Sequence, residues 1–339
     1  MPMIIPFFIP HSGCLHQCVF CNQKKITGQI RPDDVSAISD KINRYLNTHH
    51  AHEAAEIAFY GGSFTALPLA VQQTYLEIVR PFIQAGRVRN IRLSTRPDCI
   101  NNEILTLLSE HHVTVIELGA QSMDDRVLIK SGRGHTADDT INAVKLLKEH
   151  EFEVGLQLMP GLPGDTGSDF ITKTIDSVIS LKPDFVRLYP ALVIKGTPLE
   201  LLFRTGCYLP LLLDEAISLC SDAIIKLGRA GIAVIRIGLQ PTEELGRPGT
   251  VLAGPYHPAF GQLVASLIFL DRMRSALRKR TGAYNTAEFS VNPKDISSAI
   301  GQQRCNIKAL TKEFKLEKVR IVGDNTLHGK GGMKLSTLR

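Results

Sequence analysis

The stretch MIIPFFIPHSGCLHQCVFC, residues 3–21, begins with an apolar, strand-like run and ends with three cysteines. Cys14, Cys18 and Cys21 have three and two residues between them and lie on a loop directly after the predicted strand 4–10. Thiolates at this spacing can bind one face of a cubane, and cysteine thiolates are the usual ligands of iron–sulfur clusters. Only three ligands are close in sequence, so the pattern predicts a 4Fe–4S cluster whose fourth iron stays open for chemistry.

Phe20, directly before the last cysteine, is expected to shield this cluster from water. A structural zinc ion is one alternative, because zinc would need a fourth Cys or His ligand. His11 or His16 could supply that ligand. Chance spacing of the cysteines is the other alternative.

The first two-thirds of the chain alternate between short apolar runs and longer amphipathic runs. The runs 4–10, 56–61, 90–97, 114–121, 153–160 and 184–191, with a weaker one at 232–239, predict strands. Helix-like stretches between them include 32–47, 68–85, 138–150, 168–181 and 214–228. Alternation of this kind is typical of βα units around a parallel sheet. We therefore expect an α/β fold with a partial (β/α)6 barrel.

Several predicted strands carry polar residues on one face. Arg92, Ser94 and Arg96 share a face of the third strand, and Glu117 and Gln121 share a face of the fourth. A full eight-stranded barrel fills its interior mainly with branched apolar side chains. A polar interior instead predicts a cavity for water, cofactor or substrate. The alternative is an internal salt-bridge network, such as Arg92 with Glu117.

Composition limits the class of protein. The chain has 339 residues, of which 44% are hydrophobic, enough for one large domain and a small one. No apolar run approaches the roughly 18 residues of a membrane helix, and the start lacks a basic signal-peptide region. Seven cysteines, an odd number in a large chain, argue against a disulfide framework. We expect a cytoplasmic protein.

The charge is unevenly distributed along the chain. Residues 246–339 hold 16 Lys and Arg against 6 Asp and Glu, which gives +10, while residues 1–245 hold 23 against 27, which gives −4. A basic segment favours a polyanionic partner, although a solubilising face is the alternative. We predict a barrel domain at 1–245 and a basic domain at 246–339 with its core at about 285–339.

Further motifs follow the cysteines in a fixed order. They are FYGGSFTALP (59–68), STRPD (94–98), ELGAQSMDDRVL (117–128), SGRGHT (131–136), LMPGLPG (158–164) and LYPALVIKGTPL (188–199). With the cysteine pattern, the chain resembles the radical S-adenosylmethionine (radical SAM) superfamily. Within it, the resemblance from about residue 9 to about residue 239 is to the radical domain of the Elongator catalytic subunit, a tRNA modifier.

The resemblance implies cofactor contacts at matching positions. Gly61, Gly62 and Ser63 take the place of a Gly-Gly-Glu segment whose backbone binds the methionyl amine, and Ser63 departs from that pattern. Glycines are expected where a backbone approaches a ligand closely. Other implied contacts with S-adenosylmethionine are Ser94, Arg96, Gln121, Arg133 and Met159.

The resemblance also implies a reaction. One electron from the reduced cluster cleaves S-adenosylmethionine, and the resulting 5′-deoxyadenosyl radical abstracts hydrogen from a substrate. Tyr189 and Lys195 match a segment on the substrate side, and flavodoxin or ferredoxin is the implied electron donor. The acetyltransferase domain of the Elongator subunit has no counterpart here, and neither does a second cysteine cluster.

The basic tail contains a second pattern, strand, helix, tight loop, helix, strand, at 288–322. Residues 296–310 resemble the helix–GxxG–helix core of a KH domain, with Gly301, Gln302, Gln303 and Arg304 at the loop. Such loops clamp single-stranded RNA through backbone N–H groups. Arg304 replaces the second glycine but adds a phosphate donor, as does Lys308. An ordinary α+β packing module is the alternative.

These observations favour a radical SAM enzyme that modifies tRNA or rRNA. The alternative is a radical enzyme acting on a small metabolite or peptide, with the tail as a lid. A non-catalytic RNA-binding assembly factor is the third reading, which the intact cysteine triad disfavours.

Overall fold

The computed structural model describes residues 3–9, 12–14, 16–27, 35–48, 54–280, 284–327 and 331–338. His11, one of the two zinc ligands considered above, lies outside these residues. The chain forms two compact units, residues 1–212 with 223–256 and residues 213–222 with 257–339. We call them the sheet unit and the tail unit. The main division between the two units falls at residue 256. The charge pattern predicted this boundary at residue 245.

The elements are numbered in chain order. The strands β1 to β12 are Ile4–Phe8, Ala55–Tyr60, Val88–Thr95, Val113–Gln121, Glu153–Leu158, Phe185–Leu188, Val193–Ile194, Ala233–Ile237, Val251–Ala253, Thr286–Val291, Lys318–Gly323 and Met333–Leu338. The helices α1 to α14 are Gln23–Thr27, Val35–Thr48, Leu69–Gln84, Asn102–Glu110, Asp125–Lys130, Ala137–Glu149, Gly167–Asp169, Asp176–Leu181, Pro198–Arg204, Leu213–Arg229, Glu243–Gly246, Phe260–Arg278, Ile296–Ile300 and Cys305–Phe314.

Seven strands of the sheet unit pair in parallel, in the order β1-β2-β3-β4-β5-β6-β8. Parallel neighbours need a crossover connection, and helices supply it between successive strands. β7 pairs antiparallel with β9 instead, so β8 takes the seventh place. The predicted partial α/β barrel is confirmed, with seven strands in the sheet. All seven predicted strands agree with the observed bounds to within about three residues.

The helices that begin with a capping residue illustrate how local sequence sets the boundaries. Thr136 and Asp139 form a capping box at the start of α6, and Asn101 accepts a hydrogen bond from Ile104 N at the start of α4. The predicted helix 168–181 is α7 and α8 joined by a π-helical turn, Phe170–Ile175. No helix among the described residues is long and apolar enough to cross a membrane.

Alternate residues of the central strands form the core. Phe7, Ile57, Phe59, Ile91 and Leu93 are fully buried. The Phe7 and Phe59 rings lie 5.9 Å apart at their centroids. Burying such side chains stabilises the fold by about 1.5–3 kcal/mol each. The apolar face of the sheet therefore packs under helices, as the strand pattern predicted.

The opposite faces of these strands carry a network that we call the polar belt, formed by Glu56, Tyr60, Arg92, Glu117 and Arg187. Arg92 Nε lies 3.0 Å from Glu56 Oε2, and Arg92 Nη1 lies 3.2 Å from Glu117 Oε1. Arg187 Nη2 and Tyr60 Oη donate to the same Glu117 oxygen at 2.8 and 3.2 Å. Charges of opposite sign on neighbouring strands thus pair in the middle of the sheet. This part of the polar face is the internal salt-bridge network that the sequence analysis gave as the alternative to a cavity.

The tail unit is an α+β fold around a three-stranded sheet in the order β11-β10-β12. β10 pairs in parallel with β11 and antiparallel with β12. Helices α12, α13 and α14 cover one face of this sheet, where Phe289, Val291 and Leu310 are fully buried. The predicted order of strand, helix, tight loop, helix and strand is confirmed from β10 to β11.

Candidate functional site

The cysteine loop, residues 14–21, follows β1 and is tied to two elements that are distant in sequence. Val19 N donates to Ser131 O at 3.0 Å, and Val19 O accepts from Leu199 N at 2.8 Å. These bonds hold the loop between the end of α5 and the start of α9. The position of the cysteine loop therefore depends on the folded sheet unit as well as on the sequence of the loop.

The three thiols of the loop influence one another. Burial, Cys18 and Cys14 raise the pKa of Cys21 to about 12, while the Arg133 guanidinium opposes this. Arg133 Nη1 also donates to Cys18 Sγ at 3.1 Å. Among the described residues no three metal-binding side chains are already gathered around one point, so iron would have to draw the thiols together as it displaces their protons. The donor set, three thiols beside a guanidinium, fits an iron–sulfur cluster.

An apolar cluster covers part of the cysteine loop. Cys18 and the 9% exposed Phe20 belong to it, and Met159 packs against it. Its other buried members are Val127, Leu162, Ala191, Val193, Leu199 and Tyr208. Phe20 and Met159, which were predicted separately as shield and cofactor contact, are thus brought together beside a cysteine.

The segment Gly61, Gly62 and Ser63 packs on the backbone that leads into the cysteine loop. Ser63 N donates to Ser12 O at 3.0 Å. A Cβ on Gly62 would lie 2.5 Å from both Ile9 O and Ser12 O, so no larger residue fits there. Gly61 has a φ of +91°, which favours glycine. Close packing explains Gly62 and the positive φ explains Gly61, and the backbone contact with a methionyl amine stays a prediction.

The end of β3 joins this segment through Ser63. Arg96 N donates to Ser63 Oγ at 3.3 Å, and the buried Arg96 guanidinium binds both carboxylate oxygens of Asp98 at 2.9 and 2.8 Å. Ser94 Oγ makes only a long contact of 3.5 Å with Phe59 O. Arg96 is therefore held in a fixed position by its own loop, with Asp98 partly neutralising its charge.

A fourth thiol, Cys99, follows directly in the same loop. Its backbone N donates to Arg96 O at 3.3 Å, and its thiol is half-buried. Burial first, and then the Asp98 charge, raise the pKa of Cys99. Cys99 is also among the groups that raise the pKa of Cys14, which places it within electrostatic reach of the cysteine loop.

Gln121 and Arg133 converge on Gly119 near the carboxyl end of β4. Arg133 Nη2 donates to Gly119 O, and a Cβ on Gly119 would lie 2.9 Å from Gln121 Nε2. Gln121 has a φ of +68°, and its Oε1 accepts from Gln157 Nε2 at 3.0 Å. Both predicted cofactor residues are therefore adjacent, and Gly119, which the sequence reading missed, provides the space between them.

Two buried nitrogen atoms at this end of the sheet have no hydrogen-bond partner in the described part of the chain. They are Arg133 Nε and His135 Nδ1. His135 Nε2 lies 3.3 Å from Ala120 O. Burial and then the guanidinium groups of Arg133 and Arg96 lower the pKa of His135 to about 4. We call the set Cys14, Cys18, Cys21, Arg133 and His135 the cysteine rim.

Tyr189 and Lys195, the predicted substrate-side residues, occupy different surroundings. Tyr189 Oη accepts from Arg187 Nη1 at 3.3 Å and so extends the polar belt. The exposed Lys195 is tied by its backbone, since its N donates to Thr250 O and its O accepts from Asn22 Nδ2. Asn22 directly follows the last cysteine, so Lys195 lies close to the cysteine loop.

The loop between α13 and α14 has an unusual backbone. Gly301 has a φ of +77°, and both Gln303 and Arg304 are left-handed, with φ of 49° and 62°. A Cβ on Gly301 would lie 2.5 Å from Cys305 Sγ and 2.9 Å from Ser266 Oγ. Glycine is therefore required at the first loop position. Gln303 and Arg304 adopt left-handed backbone angles that are uncommon for residues other than glycine.

Asn306 holds this loop in place while the loop side chains remain outside. Its buried Nδ2 donates to Ala299 O at 3.0 Å and to Ser266 O at 2.9 Å, which joins α13, α14 and α12. Gln302 is half-buried, and the exposed side chains are Gln303, Arg304 and Lys308. Of the five residues predicted to contact RNA, three are therefore exposed, Gln302 is half-buried and Gly301 is buried.

Comparison with known proteins assigns the sheet unit to a family. The family described as the radical SAM superfamily matches residues 8–172, and the radical SAM C-terminal domain matches residues 183–268. The chain belongs to the radical SAM superfamily. Its cofactors are therefore a 4Fe–4S cluster and S-adenosylmethionine, and the resemblance inferred from the sequence is confirmed.

Two curated relatives show which members of the superfamily the chain is similar to. A tRNA uridine(34) acetyltransferase of Methanocaldococcus jannaschii is 29% identical over 260 residues, 65% of this chain and 47% of that protein. Human Elongator complex protein 3 is 26% identical over 248 residues, 61% of this chain and 45% of that protein. The chain spans about half the length of these curated relatives.

A solved structure supports the fold. The archaeal Methanocaldococcus infernus Elp3 with an N-terminal deletion superposes with a TM-score of 0.60 at 21% identity. The superposition covers 82% of this chain and 63% of that one. At this identity the likeness concerns the fold.

Proposed function

We propose that the protein is a radical SAM enzyme that modifies RNA, with Cys14, Cys18 and Cys21 as ligands of three irons of its cluster. The observation that carries the cluster assignment is the three-thiol loop anchored at the carboxyl end of a parallel sheet, with Arg133 donating to Cys18 at 3.1 Å. Ligand sites of open α/β sheets lie at the carboxyl ends of the strands.

The other predicted cofactor residues surround this loop in the proposed site. Phe20 and Met159 pack in the apolar cluster that covers Cys18 and would exclude water. Arg96 is fixed by Asp98 and offers a positioned cation toward a carboxylate or ribose, because a guanidinium held bidentately cannot rotate freely. Backbone groups of Gly61, Gly62 and Ser63 would bind the methionyl amine, and Gln121 would support the same cofactor.

When bound, the cluster and S-adenosylmethionine supply reductive cleavage of the cofactor and a carbon-centred radical. The residues of the chain orient the cofactor and exclude water, because a radical that reached any group other than its substrate would be lost in a side reaction. Lys195, exposed beside the residue that follows Cys21, would contact substrate, and Tyr189 lies at the edge of the polar belt. A flavodoxin or ferredoxin would supply the electron.

The RNA substrate rests on two observations. The Methanocaldococcus jannaschii relative described above is named for a tRNA modification, and the tail carries +10. Arg304 and Lys308 are exposed at or beside the loop and have no ion-pair partner among the described residues, whereas Arg278 pairs with Glu313 and Arg274 pairs with Glu313 and Asp271. Arg304 and Lys308 are thus among the tail residues whose charge remains available to phosphate.

An RNA-binding measurement on the full-length protein tests this proposal. We expect tRNA or rRNA to bind at about 50 mM salt and the affinity to fall steeply at about 200 mM, because phosphate contacts release counterions. Arg304→Glu should weaken binding and lower the salt slope by about one. Arg320→Glu is the matched control, because it makes the same charge change on β11, where the buried Val319 faces the helices and Arg320 faces away.

The possible results separate the three readings. Equal losses in both variants would mean that net charge, and not the loop, holds RNA. An absence of RNA binding at low salt would favour a small metabolite or peptide substrate. RNA binding without any cleavage of S-adenosylmethionine under strong reductant would favour a non-catalytic assembly factor.

A further inference from the structure

His135 lies in the segment between α5 and α6 and is 5% exposed. Its Nε2 faces Ala120 O at 3.3 Å. A carbonyl oxygen can only accept a hydrogen bond, so Nε2 must carry the proton and Nδ1 must present a bare lone pair. No described residue donates to that lone pair.

A buried acceptor without a partner is unusual, because it has given up its hydration without replacement. The folded protein keeps this geometry although the Ala120 carbonyl already accepts a hydrogen bond from Ser122 N at 2.9 Å. An orphaned acceptor at a known ligand-binding end of a sheet is therefore the expected signature of a contact completed by a ligand.

The neighbouring charges restrict the chemical nature of that ligand group. The guanidinium groups of Arg133 and Arg96 both act on His135 and, together with burial, keep its imidazole neutral and its Nδ1 an acceptor at pH 7. Because Asp98 already pairs with Arg96, the net charge around Nδ1 is positive. A cationic donor such as an ammonium would be repelled there, whereas a neutral hydroxyl would not.

Arg133, whose charge acts on the His135 imidazole, also donates to Cys18 Sγ, so His135 lies near the cysteine loop. A cofactor bound at that loop would bring a group from the part of S-adenosylmethionine near the cluster to Nδ1. Its adenine amino group lies at the end farthest from the methionyl group, whereas its ribose hydroxyls lie between the two.

We propose that His135 is a cofactor-binding residue whose Nδ1 accepts a hydrogen bond from a ribose hydroxyl of S-adenosylmethionine. This rests on the proposed function, because it requires the cluster and the cofactor at the cysteine rim. It adds a specific acceptor to a site that otherwise presents mainly cations and backbone groups.

Two variants separate the two nitrogens of the imidazole. In His135→Gln the side-chain amide can still donate to Ala120 O, but nothing replaces Nδ1. In His135→Asn the amide oxygen takes the place of Nδ1, and the bond to Ala120 O is lost. Affinity for S-adenosylmethionine is measured by equilibrium dialysis on anaerobically reconstituted protein, with iron content determined for each sample.

We expect His135→Gln to weaken cofactor affinity about tenfold, which is about 1.4 kcal/mol, at unchanged iron content. His135→Asn should stay within about threefold of wild type while its thermal midpoint falls. If His135→Gln binds like wild type, or His135→Asn is the weaker binder of the two at equal iron content, the inference is wrong. If wild-type protein holds four irons and binds no S-adenosylmethionine, the proposed function itself fails.

Cofactor analogues provide a second measurement that does not depend on variant folding. The probes are the 2′-deoxy and 3′-deoxy forms of S-adenosylmethionine. Wild-type protein should bind one of them about tenfold more weakly than the parent, and His135→Gln should show no further loss with that analogue. Equal binding of both analogues and the parent by the wild-type protein would overturn the inference.

Discussion

The polar belt and the cysteine rim lie on the same sheet, yet they differ in how their polar groups are satisfied. In the belt, every charged side chain has an oppositely charged partner within 3.2 Å. Arg187 Nε of the belt makes no well-aligned hydrogen bond, but it lies 2.6 Å from Glu117 Oε2. At the rim, Arg133 Nε and His135 Nδ1 are buried with neither a hydrogen bond nor an ion pair among the residues that the structure describes. A completed network stabilises a fold, whereas an incomplete one marks the place that a ligand completes. The comparison teaches that polarity inside a barrel does not by itself indicate a binding site.

Loss of one rim thiol should have the largest effect. Cys18→Ala should reduce the iron content of reconstituted protein from about four per chain to below about one, because three thiolates are needed to hold a cluster with one open iron. The measurement is iron analysis with visible absorption. Cys220→Ala, which removes a thiol that is also buried but lies outside the rim, should keep its iron. If the wild-type protein held stoichiometric zinc and showed no charge-transfer absorption, the cysteine rim would be a zinc site and not a cluster site.

Breaking the polar belt should affect stability and leave the cluster in place. Glu117→Gln leaves Arg92 and Arg187 without their shared carboxylate, and removing one partner of a buried ion pair costs about 3–5 kcal/mol. The measurement is the free energy of unfolding in urea. Glu243→Gln breaks an exposed pair with Arg247 and should cost at most about 1 kcal/mol. Equal losses in the two variants would mean that the belt is not a buried network in solution.

Asp165, in the segment after β5, should give the smallest effect. Burial raises the pKa of Asp165 to about 6, although Gly161 N donates to it at 2.9 Å. The folded state therefore keeps a proton that the unfolded state has released, so this group's contribution to stability falls as pH rises from about 4 to 6. Asp165→Asn should remove that fall and exceed wild-type stability at pH 7 by about 1 kcal/mol.

The measurement for Asp165 is urea unfolding at several pH values between 4 and 7. A difference between variant and wild type that does not change with pH would show that the carboxyl group is hydrated in the folded protein.

Sequence patterns predicted the regular elements and the cysteine ligands, and missed what depends on tertiary contacts. The strands could be predicted because alternation and apolar runs are local features of the sequence. The cysteine motif could be predicted because the spacing of its residues is also local. Short helices such as α5 and α9 have too few turns for a periodic signal. Arg92 with Glu117 could be anticipated from strand parity, but Glu56 and Arg187 joined the network only through sheet register.

His135 and Cys99 show the limit of sequence patterns most clearly. His135 lies inside the motif SGRGHT, yet only its burial and the Ala120 carbonyl reveal that one nitrogen has no partner. Cys99 is separated from Cys14 by 85 positions, and only the folded chain brings the two thiols within electrostatic reach. The relevant signal in both cases is the environment, which residue identity does not encode.

The two backbone bonds of Val19 also bear on how the protein matures. They join the cysteine loop to Ser131 and Leu199, so the loop reaches its final shape only after a ribosome has released most of the sheet unit. Contacts of such long sequence separation form late in folding. Cluster assembly is therefore a late step of biogenesis, and an iron–sulfur donor would meet a nearly finished protein rather than a nascent chain.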